Sequence, residues 1–227
     1  TTTTTLLTLD VDMQFRRFVI NLPNRHDRRR DMLAQLRKVG WSAEFIEAIR
    51  PADQGEFPSI GARGCFESHL KTLRAGLGSD VILMEDDLNF SRDFDQRWQP
   101  ALDRLPSDWS IFYPASDDGG WPLDPGTAVL RTHMVVFRAE IIPRVIVGLE
   151  NIMSRPYGDP LGGPMHVDGA YSTIRAQNPD IKTYALRQPL GFQRPSRTDI
   201  GNSHWIDQCP AVARVSRKIK AMVSRFL

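Results

Sequence analysis

The sequence predicts an α/β fold, a Rossmann-like, mostly parallel central sheet flanked by helices. Three observations predict it. Short apolar segments with strand character alternate with amphipathic segments of helical period, the pattern of parallel strands joined by crossover helices. Val81-Ile82-Leu83-Met84 is apolar at every position, as a strand buried on both faces must be. The 227 residues, 41% hydrophobic and 25% charged, are enough for one large domain whose core needs no disulfide staples.

The elements follow in order. Residues 1–14, opening on Thr1–Thr5, read as a flexible N-terminal segment, and the domain proper is expected over 15–210. Phe15–Leu22 is a first strand, ended by Pro23, which cannot donate to a ladder. Asp27–Val39 is a helix with Met32, Leu33, Leu36 and Val39 on one face and Gly40 as its stop. Ala43–Ile49 reads as the second strand. A helix over Arg63–Leu77 follows, with Phe66, Leu70, Leu73 and Leu77 as its inner stripe. After Val81–Met84, Phe94, Trp98, Ala101, Leu102 and Leu105 mark another helix, followed by a strand at Trp109–Tyr113. Thr132–Phe137 is a strand feeding a helix near Ala139–Leu149, and Tyr171–Ala176 is helical. In sheets of this kind ligands sit beyond the carboxyl ends of the strands, which is where functional residues are expected.

Composition excludes several classes. Lys and Arg number 29 against 27 Asp and Glu, a net +2, so the basic excess of a nucleic-acid binder is missing. Apolar runs are only a few residues long, far short of the roughly 20 that a membrane span requires. The Thr-rich opening lacks the basic flank and apolar core of a secretion signal. Cys65 and Cys209, without Cys-x-x-Cys spacing, read as unpaired thiols of an intracellular, cytoplasmic protein, with Cys65 in the core.

Two features carry chemistry. Glu85-Asp86-Asp87 follows directly on the buried strand, and strict alternation would turn Glu85 and Asp87 to one side and Asp86 to the other. Three adjacent carboxylates at a low-dielectric sheet edge require an offset: a divalent cation, a basic neighbour, or protonation of one acid. Hard oxygen ligands suit Mg²⁺ or Mn²⁺, with substrate phosphates completing the coordination. A solvated turn after a strand is the plainer alternative. The second feature is Asn21-Leu-Pro-Asn-Arg25-His-Asp-Arg28-Arg29-Arg30, which sets basic groups at the start of a helix. Helix amides and guanidinium forks there would cradle a diphosphate, with Arg25 and Arg28 the better ligands and Arg30 on a solvated face. Together the two features suggest a metal-bridged nucleotide diphosphate.

These residues carry a family resemblance. Phe18-Val-Ile-Asn-Leu22 with Arg25 and Asp27-Arg28-Arg29 resembles the opening of family 25 glycosyltransferases, which include lipopolysaccharide and collagen galactosyltransferases. Gly64-Cys-Phe-Glu-Ser-His-Leu70 resembles their Gly-Cys-x-x-Ser-His motif, and Ile82-Leu-Met-Glu-Asp-Asp-Leu88 their Leu-Glu-Asp-Asp strand end. Met165-His-Val-Asp168, Tyr184-Ala-Leu-Arg-Gln-Pro189 and, more loosely, Ser196-Arg-Thr-Asp-Ile200 also fit, so the similarity spans roughly 15–200. The resemblance implies a GT-A-like fold, a UDP-sugar donor, usually Mn²⁺ (or Mg²⁺), and inverting transfer of a hexose such as galactose to a saccharide or lipid-linked saccharide acceptor. It makes Asp87 the leading metal ligand, gives Glu85 a ribose contact or an organising role, and makes Asp86 a water-mediated ligand. Asn21, Leu22, Arg25, Arg28, Ser68 and His69 join them around the donor. As in some GT-A enzymes, a late histidine, His204, would return to the metal; an ordinary loop histidine is the alternative.

Inversion requires a base opposite the leaving diphosphate, and Asp168 is the candidate, with a helix N-cap as its alternative role. His69 is either a buried hydrogen-bonding residue or a positioner of donor or metal ligand. Ser68 and Cys65 have no base-plus-orienter arrangement, which argues against nucleophilic catalysis. Asp117-Asp118-Gly119-Gly120 reads as an acidic, Gly-rich surface turn. Residues 211–227 form a basic amphipathic helix whose apolar stripe would pack on the domain or rest on an anionic inner membrane leaflet. Two rival readings remain. Leu9-Asp10-Val11-Asp12 resembles the Asp-x-Asp nucleophile motif of haloacid-dehalogenase phosphatases, and a non-catalytic nucleotide-binding or membrane-adaptor module is the other.

Overall fold

The structure, a computed structural model, describes residues 15–116 and 119–194. Its first strand, β1 (Phe15–Asn21), leads into α1 (His26–Lys38), β2 (Glu44–Glu47), α2 (Ile60–Ala75) and β3 (Asp80–Glu85). Then come β4 (Leu88–Phe90), α3 (Phe94–Asp103), β5 (Ile111–Tyr113), β6 (Met134–Phe137), α4 (Ile142–Ser154), α5 (Val167–Gln177), β7 (Thr183–Ala185) and β8 (Gly191–Gln193). Six strands form one sheet in the order β2-β1-β3-β6-β5-β7, and β4 pairs with β8 in a separate two-stranded ribbon. Every pairing in the large sheet is parallel except those of β6, which runs against both β3 and β5. The carboxyl ends of β1, β2, β3, β5 and β7 therefore share one edge with the amino end of β6.

Alternation along β3 divides the core into two layers. Val81 and Leu83 join the cluster that holds Phe66, Leu70 and Leu73 of α2 together with α4 and α5. Ile82 and Met84 point the other way, into the cluster of Met32 and Leu36 from α1 and Phe94 and Trp98 from α3. All four residues are fully buried, as the apolar run predicts. The second layer is aromatic at its heart: Trp41 meets Phe90, Phe94 and Trp98 edge-on at centroid distances of 5.6, 5.0 and 5.1 Å. Such pairs add about 0.5–1.5 kcal/mol each beyond area burial. They fix β4, and with it the chain immediately after Glu85-Asp86-Asp87.

Several boundaries differ from the expectation. The helix read from Arg63 starts at Ile60, because Ser59 caps it by accepting from the Ala62 amide at 3.0 Å. It ends at Ala75, which leaves Leu77 half exposed instead of on the inner stripe. Leu33 likewise sits at the edge of the α1 face and is 37% exposed. Gly40 does stop α1, adopting φ +65° just past the cap residue Val39. The helix α5 opens at Val167, ahead of the expected Tyr171, with His166 at its cap. The three-residue strands β4, β7 and β8 are too short to carry a periodic signal. The N-terminal segment 1–14 and the basic helix 211–227 lie outside the described residues.

Candidate active site

The edge shared by the strand ends collects most of the residues singled out from sequence. Asn21 is the last residue of β1, and the turn after it closes with the Arg25 amide donating to the Leu22 carbonyl at 2.9 Å. This aims the first turn of α1 across the end of β3. Arg28 reaches furthest: its Nη1 lies 2.9 Å from Asp86 Oδ1 and 3.3 Å from Asp87 Oδ2. Asn21 Nδ2 donates to Asp86 Oδ2 at 2.7 Å. Arg25 instead forks onto Asp27, with Nε and Nη2 each 3.0 Å from its carboxylate, and holds that carboxyl down to about 2. Arg29 stacks on Phe45 at 4.0 Å and Arg30 is exposed, so Arg28 is the arginine of this run that meets the acids.

The acids are buried: Asp86 is 6% exposed and Asp87 5%. Strict alternation does not hold across them, because β3 ends at Glu85 and Asp86-Asp87 form a turn, so both aspartates face Arg28. The solvated-turn reading is thereby excluded. Asp86 has both oxygens satisfied by Arg28 and Asn21. Asp87 does not. Gln193 Nε2 donates to its Oδ2 at 3.2 Å, while Oδ1 is buried and accepts no hydrogen bond. Burial, followed by the charge of Glu85, pushes the Asp87 carboxyl up to about 7 against the pull of Arg28. An orphaned, buried carboxylate oxygen is costly unless protonated or bound to a cation, so this donor set fits a hard divalent ion.

Glu85 points to the other layer. Its Oε1 lies 3.4 Å from Nε2 of His69, a fully buried residue of α2. Burial raises the Glu85 carboxyl, but the His69 contact, with positive charge from His69, His133 and Arg28, outweighs it and leaves the group below its usual range. His69 Nδ1 is hydrogen-bonded to the Tyr171 hydroxyl of α5 at 3.0 Å. His69 is thus a buried hydrogen-bonding residue that also touches an acid of the site.

The Ser68 hydroxyl is held by backbone on both sides. It donates to the Gly64 carbonyl at 2.5 Å and accepts from the Ile49 amide at 2.8 Å, pinning the exit of β2 to α2. Gly64 is required at the same contact, since a Cβ there would stand 2.6 Å from the Ile49 carbonyl oxygen. Within Gly64-Cys-Phe-Glu-Ser-His69, then, Gly64 and Ser68 dock the chain and His69 faces the acids.

Asp168 lies in the first turn of α5, not at its cap, and is half-buried. Its Oδ1 accepts from the Gly169 amide at 2.8 Å, and Oδ2 lies 3.4 Å from the Arg131 amide. Arg131 adopts φ +66°, unusual for a side-chain-bearing residue, in the segment that enters β6 at the same edge. His204 and the Asp10/Asp12 pair lie outside the described residues, as do Asp117 and Asp118.

Three participants were missed in the sequence. Gln193 ends β8 and Arg194 follows it: the Arg194 amide donates to the Asp87 carbonyl at 2.6 Å, and its Nη2 to the Asp86 carbonyl at 2.8 Å. Nothing local marks them, because the β4–β8 ribbon joins positions more than 100 residues apart. Cys65 packs on the core as expected, yet its sulfur also lies close to His69 and Glu85. Its spacing from His69, four residues on a helix, was a usable signal.

The family model described as Glycosyltransferase family 25 (LPS biosynthesis protein) matches residues 14–118, the stretch that holds the opening, Gly-Cys-x-x-Ser-His and Glu-Asp-Asp motifs. Over that stretch the chain is similar to family 25 glycosyltransferases, and its fold is the expected mostly parallel sheet flanked by helices. The match begins beyond Asp10 and Asp12, on which the phosphatase reading rests. No curated protein matches the sequence. Solved structures of similar shape include a glycosyltransferase involved in the glycosylation of the major capsid of PBCV-1, at 11% identity, covering 90% of this chain and 98% of that one with a TM-score of 0.47. The inositol-1-phosphate CTP transferase from T. maritima has 13% identity, coverage of 90% and 77%, and a TM-score of 0.41. Mouse xyloside xylosyltransferase 1 has 10% identity, coverage of 76% and 84%, and a TM-score of 0.43. No helix among the described residues is long and apolar enough to cross a membrane.

Proposed function

We propose that this glycosyltransferase moves a hexose, galactose first among the candidates, from a UDP-sugar to a saccharide acceptor such as a lipopolysaccharide or another surface glycan. The transfer inverts the anomeric centre and uses Mn²⁺ or Mg²⁺. The observation that carries the reading is the buried, unpartnered Oδ1 of Asp87 just past the end of the central strand, on a carboxylate whose other oxygen lies 3.3 Å from Arg28. Asp87 would hold the ion, with His204 as a further ligand, and the bound ion supplies charge neutralisation on the departing diphosphate.

The chain's own residues do the rest. Asn21 and Arg28 hold Asp86 in place, so its charge is fixed beside Asp87 without reorganisation. The first turn of α1 presents amides at the same edge, an arrangement suited to phosphate oxygens. Arg25 joins the donor site by leaving Asp27, an exposed partner. Glu85, held by His69, addresses the ribose. Asp168, steadied by the Gly169 amide, takes the acceptor proton as the new glycosidic bond forms. A lipid-linked acceptor would be met at an anionic membrane surface by the basic segment 211–227, with 15–210 as the catalytic domain.

A thermal-shift panel of nucleotide sugars, with and without Mn²⁺, tests the reading. UDP-galactose with Mn²⁺ is expected to raise Tm more than either alone, and UDP-sugar hydrolysis to require the metal. Failure of every nucleotide to stabilise the protein overturns the proposal. Turnover of p-nitrophenyl phosphate in its place would restore the phosphatase reading.

A further inference from the structure

We propose that Cys65, His69 and Glu85 form a second metal site, distinct from the Asp87 carboxylate and selective for a soft or borderline divalent ion, Zn²⁺ above all. One ligand atom from each residue lies within 4.8 Å of the other two. A tetrahedral zinc with bonds of about 2.0–2.3 Å holds its ligand atoms roughly 3.3–3.8 Å apart, so closure by about an ångström of side-chain movement completes the triad. Cys65 and His69 are four residues apart on α2, the spacing that puts two ligands on one helix face. Glu85 arrives from the end of β3 as the third.

An independent observation points to a ligand. His69 is fully buried, and its Nε2, which faces Glu85 Oε1 at 3.4 Å, makes no hydrogen bond. The other nitrogen, Nδ1, is engaged by the Tyr171 hydroxyl. With that nitrogen carrying the proton, Nε2 turns its lone pair toward Cys65 and Glu85, and Tyr171 fixes the ring as outer partners of metal-bound histidines do. The field is also right. Burial, and then the negative charges of Glu85, Asp168 and Asp87, push the Cys65 thiol well above its usual range, so the sulfur holds its proton until a cation offsets that field. The site is reachable, since Glu85 is 19% exposed at its side chain and Cys65 is only partly covered.

Sulfur, nitrogen and oxygen in one triad favour Zn²⁺ over Mg²⁺ or Mn²⁺, and the three-ligand count leaves a fourth position for water. On binding, the Cys65 S–H bond breaks, its proton leaves to buffer and the sulfur–metal bond forms. Glu85, once it ligates the ion, is no longer available to the donor. On the transferase reading above, and only there, Zn²⁺ then acts as a brake on donor binding.

The test reads binding, not turnover, so it fails independently of the transferase proposal. Purified full-length protein is titrated with Zn²⁺ against a chromophoric chelator, and with Co²⁺ while the near-ultraviolet thiolate-to-cobalt band is followed. One tightly bound Zn²⁺ and a thiolate band are expected in the unmodified protein. Cys65→Ser should remove the band and weaken Zn²⁺ binding by more than about 100-fold, Tyr171→Phe should weaken it about 10-fold, and Cys209→Ser should change neither. The absence of a thiolate band in the unmodified protein, which needs no variant to be stable, overturns the proposal. So does a band or affinity that survives Cys65→Ser.

Discussion

The end of β3 faces two differently built regions, one on each side of the sheet. On the α1 side, Asp86 and Asp87 are met by a guanidinium, an amide side chain and the β8 strand, and charge is balanced by opposite charge. On the α2 and α5 side, Glu85 meets an imidazole backed by a phenol, with a thiol close by, groups that are neutral or only conditionally charged. Adjacent residues of one strand end thus face unlike surroundings. The cause is the sheet itself, which separates the two core layers and hands each acid to different helices. The first region suits a hard ion and a phosphate; the second suits a softer ligand or a fixed hydrogen-bond chain.

That contrast can be broken from either side. The largest effect is expected from Asp87→Ala, which should cut metal-dependent UDP-sugar turnover by about 10³-fold or more in a steady-state hydrolysis assay while the fold survives. Next is Arg28→Met. It strands two buried carboxylates, and chemical denaturation should register a loss of about 3–5 kcal/mol, partly restored when Asp86→Asn is added. The third concerns pH. The Asp87 carboxyl sits near 7 in the folded chain and near 4 unfolded, so its proton is held more tightly by the fold. Its stabilising effect is complete below about pH 4 and is lost as pH rises through about 7. In chelator, denaturation midpoints should therefore fall across that window by the equivalent of roughly 2–4 kcal/mol, and Asp87→Asn should flatten the fall. The smallest is on the other side of the sheet. Tyr171→Phe deletes one neutral hydrogen bond to His69 and should cost only about 1 kcal/mol, measured by thermal melts.

Much of the fold was readable before any coordinates. Val81–Met84, buried on both faces, could be recognised because a fully apolar run followed by acids has few other uses, and the Arg25–Arg30 run could be placed at a strand exit. The periodic stripe marks helix α2 only from Arg63, three residues past its start at Ile60, because the cap is a single serine, Ser59, outside that stripe. The failure at Asp87 is more instructive. Period-two alternation is a property of extended backbone, and the chain leaves that conformation at Glu85, so the side on which Asp87 falls could not be obtained by counting. Cys65 packs on the core as its residue type suggests, but its closeness to Glu85 depends on how α2 sits over β3.

By itself the sequence determined the alternation of strands and helices, the acidic strand end, the basic helix start and the motifs that carry the family. These are local patterns, set by backbone period and by residue chemistry within a few positions. Only the tertiary structure decided that Arg28 lies between Asp86 and Asp87, that Gln193 and Arg194 close over them, and that His69 links Glu85 to Tyr171. Each of those contacts joins residues far apart in the chain, and their geometry follows from how helices pack on a twisted sheet, which no local pattern records.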